Sequence, residues 1–312
     1  YLPSIWRARQ VVRRLCPDIV HAHYATSSGL AARIINVHPW LVTAHGTDVT
    51  LGVRSPVWRR ILHRIFMDAD CVNAVSADLR RMVLSVGTPP EKVETFTLGI
   101  DTEKFKYHQQ PCWTAARPLR LICTRRFEPV YDHATILRCL PLLKAGGVPF
   151  KLTLVGGGSM RPQLDALVRE LKLEAEVEFP GTIPNSQLPG WLARHDVYLS
   201  SSLRDGTSLC LLEAMAVGLY PIVSDITANS EWITHGKNGL LHGVSNPQSL
   251  ADCIVSYTKC CSQSADVLSQ NRQLVLKDGD RTRNMERLES IYLRLVRSRA
   301  QSLPSLASTV AN

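Results

Sequence analysis

The sequence predicts an α/β chain built from two doubly wound parallel sheets, and three observations carry that prediction. Short runs rich in β-branched and aromatic residues alternate with segments of helical periodicity, as βαβ units require. The alternation is interrupted across Phe105–Arg117, where Pro111 and the following Pro118 break any periodicity, and it restarts at Leu119. The 312 residues, 45% hydrophobic and 20% charged, are enough to bury two ordinary cores.

In the first half, a helix over residues 2–15 is stopped by Pro17, and a short strand follows over residues 18–23. Helical spacing covers 27–37, a strand 40–44, and a helix runs to Phe66. A strand at 71–75, a helix at 77–86 with Ser76 as its N-cap, and a strand at 93–98 complete this half. In the second half, strands are expected at 119–124, 150–155 and 177–179, with helices at 132–145, 161–173 and 187–194. A strand over 196–200 and a helix starting near Ser208 follow. The strand 221–224, the strand 240–242 and helices at 247–261 and 281–296 close the chain. These elements divide into a first domain over 1–107, a second over 108–280, a helix over 281–300 and a Ser-rich, disordered tail over 301–312.

Bulk properties narrow the function. The net charge of +9 favours anionic partners. No helix-turn-helix, RRM or zinc-finger pattern points to nucleic acid. No run of 18 apolar residues spans a membrane, and residues 1–15 lack the apolar core of a signal peptide. Nine cysteines form no Cys-x-x-Cys pair and several sit in apolar runs, which fits a reducing, cytoplasmic setting. Trp58–Phe66 mixes aromatic and basic residues at helical spacing, as helices at an anionic membrane surface do; a core helix with a solvated basic face fits equally well.

The stretch Ser201–Gly218 carries the chemistry. It crosses from a strand through a polar loop, Asp205-Gly206-Thr207-Ser208, into a helix beginning at Leu209. Backbone N–H groups at that helix start form an anion site. Two carboxylates, Asp205 and Glu213, stand beside it as acceptors for sugar hydroxyls. Donors for phosphate beside acceptors for hydroxyls suit a sugar nucleotide; a capped helix with one solvated Glu is the plainer alternative.

This segment, with Glu213-Ala214-Met215-Ala216-Val217-Gly218, Pro221–Asp225 and Asn229–Ile233, resembles the donor-site signature of the family 4 retaining glycosyltransferases. That family has two acids separated by seven residues; here Asp205 stands in place of the first Glu. The resemblance implies the GT-B architecture, two Rossmann-like domains facing a cleft, with the last helix returning to the first domain. The family opens with a strand and a glycine-rich loop, so the first domain is read as short at its start. Arg126 matches the family's diphosphate-binding arginine, while Tyr131 stands where a lysine is expected. Arg125 compensates if its side chain reaches the same face, although strand alternation would turn it away. His45 resembles the family's histidine near the leaving phosphate. His21 and His23 are read as structural. Gly181 and Thr182 match the base-binding loop, and Gly206, Thr207, Ser208 and Leu209 the phosphate-binding turn.

Gly156-Gly157-Gly158 lacks the third glycine and the acid of a dinucleotide motif, and is read as a turn that lets backbone or nucleotide approach. Asp68-Ala69-Asp70 resembles Asp-x-Asp but is read as a turn, with no metal and no cofactor required. The reading implied is transfer of a hexose from a nucleoside-diphosphate sugar to a glycan or lipid-linked acceptor. A non-catalytic sugar-nucleotide-binding protein and a GT-B phosphorylase or epimerase are the rivals.

Overall fold

The computed structural model describes residues 2–109, 113–260 and 264–302, and the chain divides into two compact units. The first comprises residues up to Leu98 together with those from Thr282 onward; the second comprises Gly99–Arg281.

The sheet of the first unit has four parallel strands in chain order: β1 (Val20–His23), β2 (Trp40–Ala44), β3 (Cys71–Ala74) and β4 (Val93–Thr95). β2 and β3 are buried along their whole length, and apart from Thr43 and Asn73 they are apolar. Leu62, Ile65 and Phe66 of the helix Pro56–Asp68 pack under this sheet. The other side of the core is closed by Phe96, Leu288 and Ile291, the last two from the helix Arg281–Ser302. Ser76 caps the helix Ala77–Ser85 through its hydroxyl, which accepts from Leu79 N at 3.2 Å.

The second unit carries six parallel strands: β5 (Leu119–Cys123), β6 (Phe150–Val155), β7 (Val177–Gly181), β8 (Val197–Ser200), β9 (Tyr220–Ser224) and β10 (Leu240–His242), ordered β10-β9-β8-β5-β6-β7. Chain order reverses between β5 and β8. In open α/β sheets such a switch point leaves a crevice beyond the carboxyl ends of the two strands, because their crossovers leave toward opposite faces.

Several elements differ from the sequence expectation. Residues 27–29 belong to a π-helical turn, Tyr24–Gly29, that precedes the α-helix Leu30–Ile35. β4 stops at Thr95, and the helix Ser264–Asp278 has no counterpart among the expected elements. The last helix extends through Gln301 and Ser302, the first two residues of the expected tail; residues 303–312 lie outside the described residues, as do 110–112 of the expected linker. The glycine run lets backbone approach backbone. Gly156 has φ +141°, and a Cβ there would lie 2.8 Å from the Arg125 carbonyl oxygen. Asp68 pairs with Arg33 at 2.6 Å, and Asp70 accepts from Trp40 N at 2.8 Å, so both serve the turn between helix and strand.

Candidate active site

The helix Leu209–Val217 is the centre of the site. It is apolar on nearly every side, as a core helix must be, and Glu213 is its one charged residue. Ser208 caps it, its hydroxyl accepting from Leu211 N at 3.3 Å. Gly218, at φ +98°, ends it in the left-handed conformation. The capped N-terminus lies just beyond β8, at the switch point.

Two loops meet there. The loop after β5 brings Arg125, and the loop after β8 brings Asp205. Arg125 is 7% exposed and forms an ion pair with Asp205. It also donates to Ser208 Oγ at 3.3 Å. Its guanidinium carbon lies 4.1 Å from the centre of the Tyr131 ring, within cation–π range. Burial works against this charge, but Asp205 together with the neighbouring Cys210, Tyr198 and Tyr131 outweighs it, so the guanidinium is held above its ordinary range. Asp205 is positioned in turn by Gly206 N, which donates to Oδ1 at 2.9 Å.

The two adjacent arginines lie in different surroundings. Arg126 is exposed, with 77% of its side chain accessible, and lies 3.6 Å from Glu128. Arg125 is the arginine that meets Asp205. Strand alternation would have sent Arg125 to the other side, but β5 ends at Cys123, and the alternation ends with it.

Glu213 has no hydrogen-bond or ion-pair partner among the described residues. Burial lifts its carboxyl from the usual carboxylate range to about 7, with Lys104 and Arg125 pulling the other way. Lys104 hydrogen-bonds Asn185. Of the remaining expected contacts, Gly181 ends β7 at φ +81°, and its carbonyl accepts from Gly156 N at 2.9 Å. Thr182 and Leu209 are exposed, Gly206 is buried and Thr207 is partly buried. The loops after β5, β6, β7 and β8 thus form one continuous rim in the second unit.

His45 lies in the first unit, just past the end of β2. Its Nε2 is 3.0 Å from His23 Nδ1 at the end of the neighbouring strand. His21 lies between Thr43 Oγ1 at 2.8 Å and the Tyr292 hydroxyl at 2.5 Å, and its ring centre is 4.1 Å from that of His23. Burial and the neighbouring His23 depress the pKa of His45. Burial, then His23 and His45, depresses that of His21 to about 4. Asp48 fixes the loop by accepting from Gly46 N at 2.8 Å and from Ala25 N at 2.7 Å.

Sequence reasoning missed three of these features: the contact of His23 with His45, the loop-fixing role of Asp48 and the ring of Tyr131 beneath Arg125. The first was signalled by alternation, since His21 and His23 must share a face of β1. The Tyr131 contact had no local signal.

Comparison with known proteins fits this geometry. Residues 114–274, just over half of the chain, match the family described as Glycosyl transferases group 1, and residues 1–104 match Glycosyltransferase Family 4. The chain belongs to the glycosyl transferases group 1 family. The amylovoran biosynthesis glycosyltransferase AmsK of Erwinia amylovora is 25% identical over 260 residues, which cover 80% of this chain and 63% of that protein. A GDP-mannose-dependent alpha-(1-6)-phosphatidylinositol monomannoside mannosyltransferase of Mycobacterium tuberculosis (strain CDC 1551 / Oshkosh) is 26% identical over 72% of this chain and 61% of its own length. The chain thus spans somewhat under two thirds of the length of these two relatives. Among solved structures, a sucrose-phosphate synthase from Thermosynechococcus elongatus superposes with a TM-score of 0.81 at 19% identity, covering 94% of this chain and 77% of that one. Anabaena Alr3699/HepE in complex with UDP-glucose gives 0.76 at 18% identity, covering 92% and 82%. The fold class is GT-B, with two Rossmann-like units.

Proposed function

We propose that this protein is a retaining glycosyltransferase that moves a hexose from a nucleoside-diphosphate sugar to a glycan or lipid-linked acceptor in cell-surface polysaccharide assembly. The observation that carries the reading is the meeting of Arg125, Asp205 and Ser208 at the switch point, beside a Glu213 that has no partner among the described residues. In this reading Glu213 accepts hydrogen bonds from the ribose hydroxyls, and Asp205 accepts from a hexose hydroxyl. Arg125 and the N–H groups of the helix at Leu209 offset the diphosphate charge as it grows, a preorganised form of transition-state stabilisation.

The acceptor hydroxyl attacks the anomeric carbon from the face the leaving group departs. The bond to the phosphate oxygen breaks with its electron pair, and the acceptor proton passes to the departing phosphate. No metal is required in this scheme. Names of the relatives support polysaccharide or glycolipid synthesis, and the UDP-glucose bound to the Anabaena protein supports a nucleotide sugar.

A cytoplasmic protein touching the anionic face of a membrane completes the proposal. No helix among the described residues is long and apolar enough to cross a membrane. The helix Leu2–Leu15 exposes Trp6 (62%) beside Arg7, Arg9, Arg13 and Arg14, and the helix Pro56–Asp68 exposes Trp58 beside Arg59 and Arg60. Both combine aromatic and basic residues in the way of interfacial helices.

The test is a binding screen against UDP-, GDP- and ADP-sugars, followed by detection of nucleoside diphosphate released on addition of acceptor. Arg125→Ala weakens binding at least tenfold without abolishing it, and Arg126→Ala leaves it within about twofold. A wild-type protein that binds none of these donors refutes the proposal.

A further inference from the structure

Tyr131 occupies the position where a second cation is expected, and its surroundings give it a task of its own. It ends the short turn Pro129–Tyr131, which is fastened to the loop after β8. Leu203 N donates to Val130 O at 2.8 Å, and Ser201 Oγ lies 3.1 Å from Tyr131 O and 2.6 Å from Asp132 O. The loop that carries Asp205 therefore also fixes the ring. Arg125 is enclosed between them, with Asp205 and Ser208 on its terminal nitrogens and the ring against its guanidinium. Its Nε is buried with no hydrogen-bond partner among the described residues.

We propose that Tyr131 is a positioning residue for Arg125, so that this site grips an anionic pyrophosphate group with one immobilised arginine instead of two mobile cations. The inference rests on the donor-site reading above and specifies how that site meets phosphate. A lysine close to Arg125 would add charge but also repulsion, which only a bound anion relieves. An aromatic face attracts the guanidinium without adding charge. A planar guanidinium fixed in advance loses less freedom on binding than a free side chain does. Asp205 and Ser208 thereby hold the arginine in the free protein, with the ring fixing the plane of its guanidinium.

The experiment measures binding of inorganic pyrophosphate and of UDP, GDP and ADP by calorimetry at constant ionic strength. The proteins are wild type, Tyr131→Phe and Tyr131→Leu, each also combined with Arg125→Ala. Phe keeps the ring and holds affinity within about twofold, whereas Leu weakens pyrophosphate binding about fivefold or more, the scale of one cation–π contact. Combined with Arg125→Ala, the Leu change has no further effect, because the ring acts through the arginine. A purely structural role would instead weaken both backgrounds equally. Tyr131→Met serves if the Leu variant does not fold. Unchanged pyrophosphate affinity in Tyr131→Leu, an equal loss in the Arg125→Ala background, or no pyrophosphate binding by wild type overturns the inference. Wild-type binding of pyrophosphate but of no nucleotide refutes the donor reading and leaves the role of Tyr131 standing.

Discussion

Binding of a nucleoside diphosphate should release a proton from Glu213, and this linkage tests the ribose role directly. In the free protein the Glu213 carboxyl titrates at about 7, because burial disfavours its charged form. Ribose hydroxyls donate hydrogen bonds, and donation favours the carboxylate. If the ionised form is the one that binds, the apparent Kd at pH 6 is about tenfold that at pH 8, a difference of ~1.4 kcal/mol. Near pH 7 binding releases about half a proton, so the calorimetric enthalpy differs between phosphate and Tris buffers in proportion to their ionisation enthalpies.

The same shift bears on stability. The folded pKa lies above the unfolded value, so Glu213 is neutral in the fold at low pH, and stability is lost as pH rises from the unfolded value through about 7. Glu213→Gln removes that loss. Discounted for partial exposure, the variant gains about 1–2 kcal/mol at pH 8, while donor affinity falls by about 1–3 kcal/mol. A site that trades stability for binding shows this pairing. The tool is titration calorimetry with whichever of UDP, GDP and ADP binds tightest, in both buffers, beside thermal melts. A buffer-independent enthalpy with a pH-independent Kd, or a Gln variant that keeps the parent's pH slope, would refute the reasoning.

Other consequences follow from the same geometry. Arg125→Ala leaves Asp205 without its partner and should destabilise the protein by about 3 kcal/mol, whereas Arg126→Ala on the surface should shift it by less than about 0.5 kcal/mol; chemical denaturation separates them. Ser208→Ala removes the cap and should cost about 1 kcal/mol, read as a melting temperature lower by about 2–4 °C. Asp196, buried between Arg117 at 2.6 Å and Arg120 at 2.7 Å, has its pKa lowered: burial opposes the charge, and hydrogen bonds from the two arginines outweigh it. Its contribution is present above the unfolded carboxylate pKa and is lost as pH falls through the lower folded value, so acid melts of Asp196→Asn should be flatter than those of the parent. Arg59→Ala with Arg60→Ala should weaken sedimentation with anionic vesicles by about 2 kcal/mol at low salt, on the scale of ~1 kcal/mol per basic residue, and leave neutral vesicles unaffected.

The sequence by itself determined the features that depend on neighbouring residues. Alternating periodicities placed β2, β6 and β10 to the residue, and Ser76 and Ser208 were legible as caps because a cap is a contact across three residues. The positions of Asp205 and Glu213 at a strand-to-helix turn came from the same kind of signal. Tertiary structure decided what depends on partners far along the chain. Which arginine enters the site turned on where β5 ends, since a side chain's direction is set by alternation only while the strand lasts. The pairing of Arg125 with Asp205 spans 80 residues, and it follows from the reversal of strand order that sets β5 beside β8. The raised pKa of Glu213 likewise needs the whole packed helix around it, because burial is a property of the assembled core and not of any single segment.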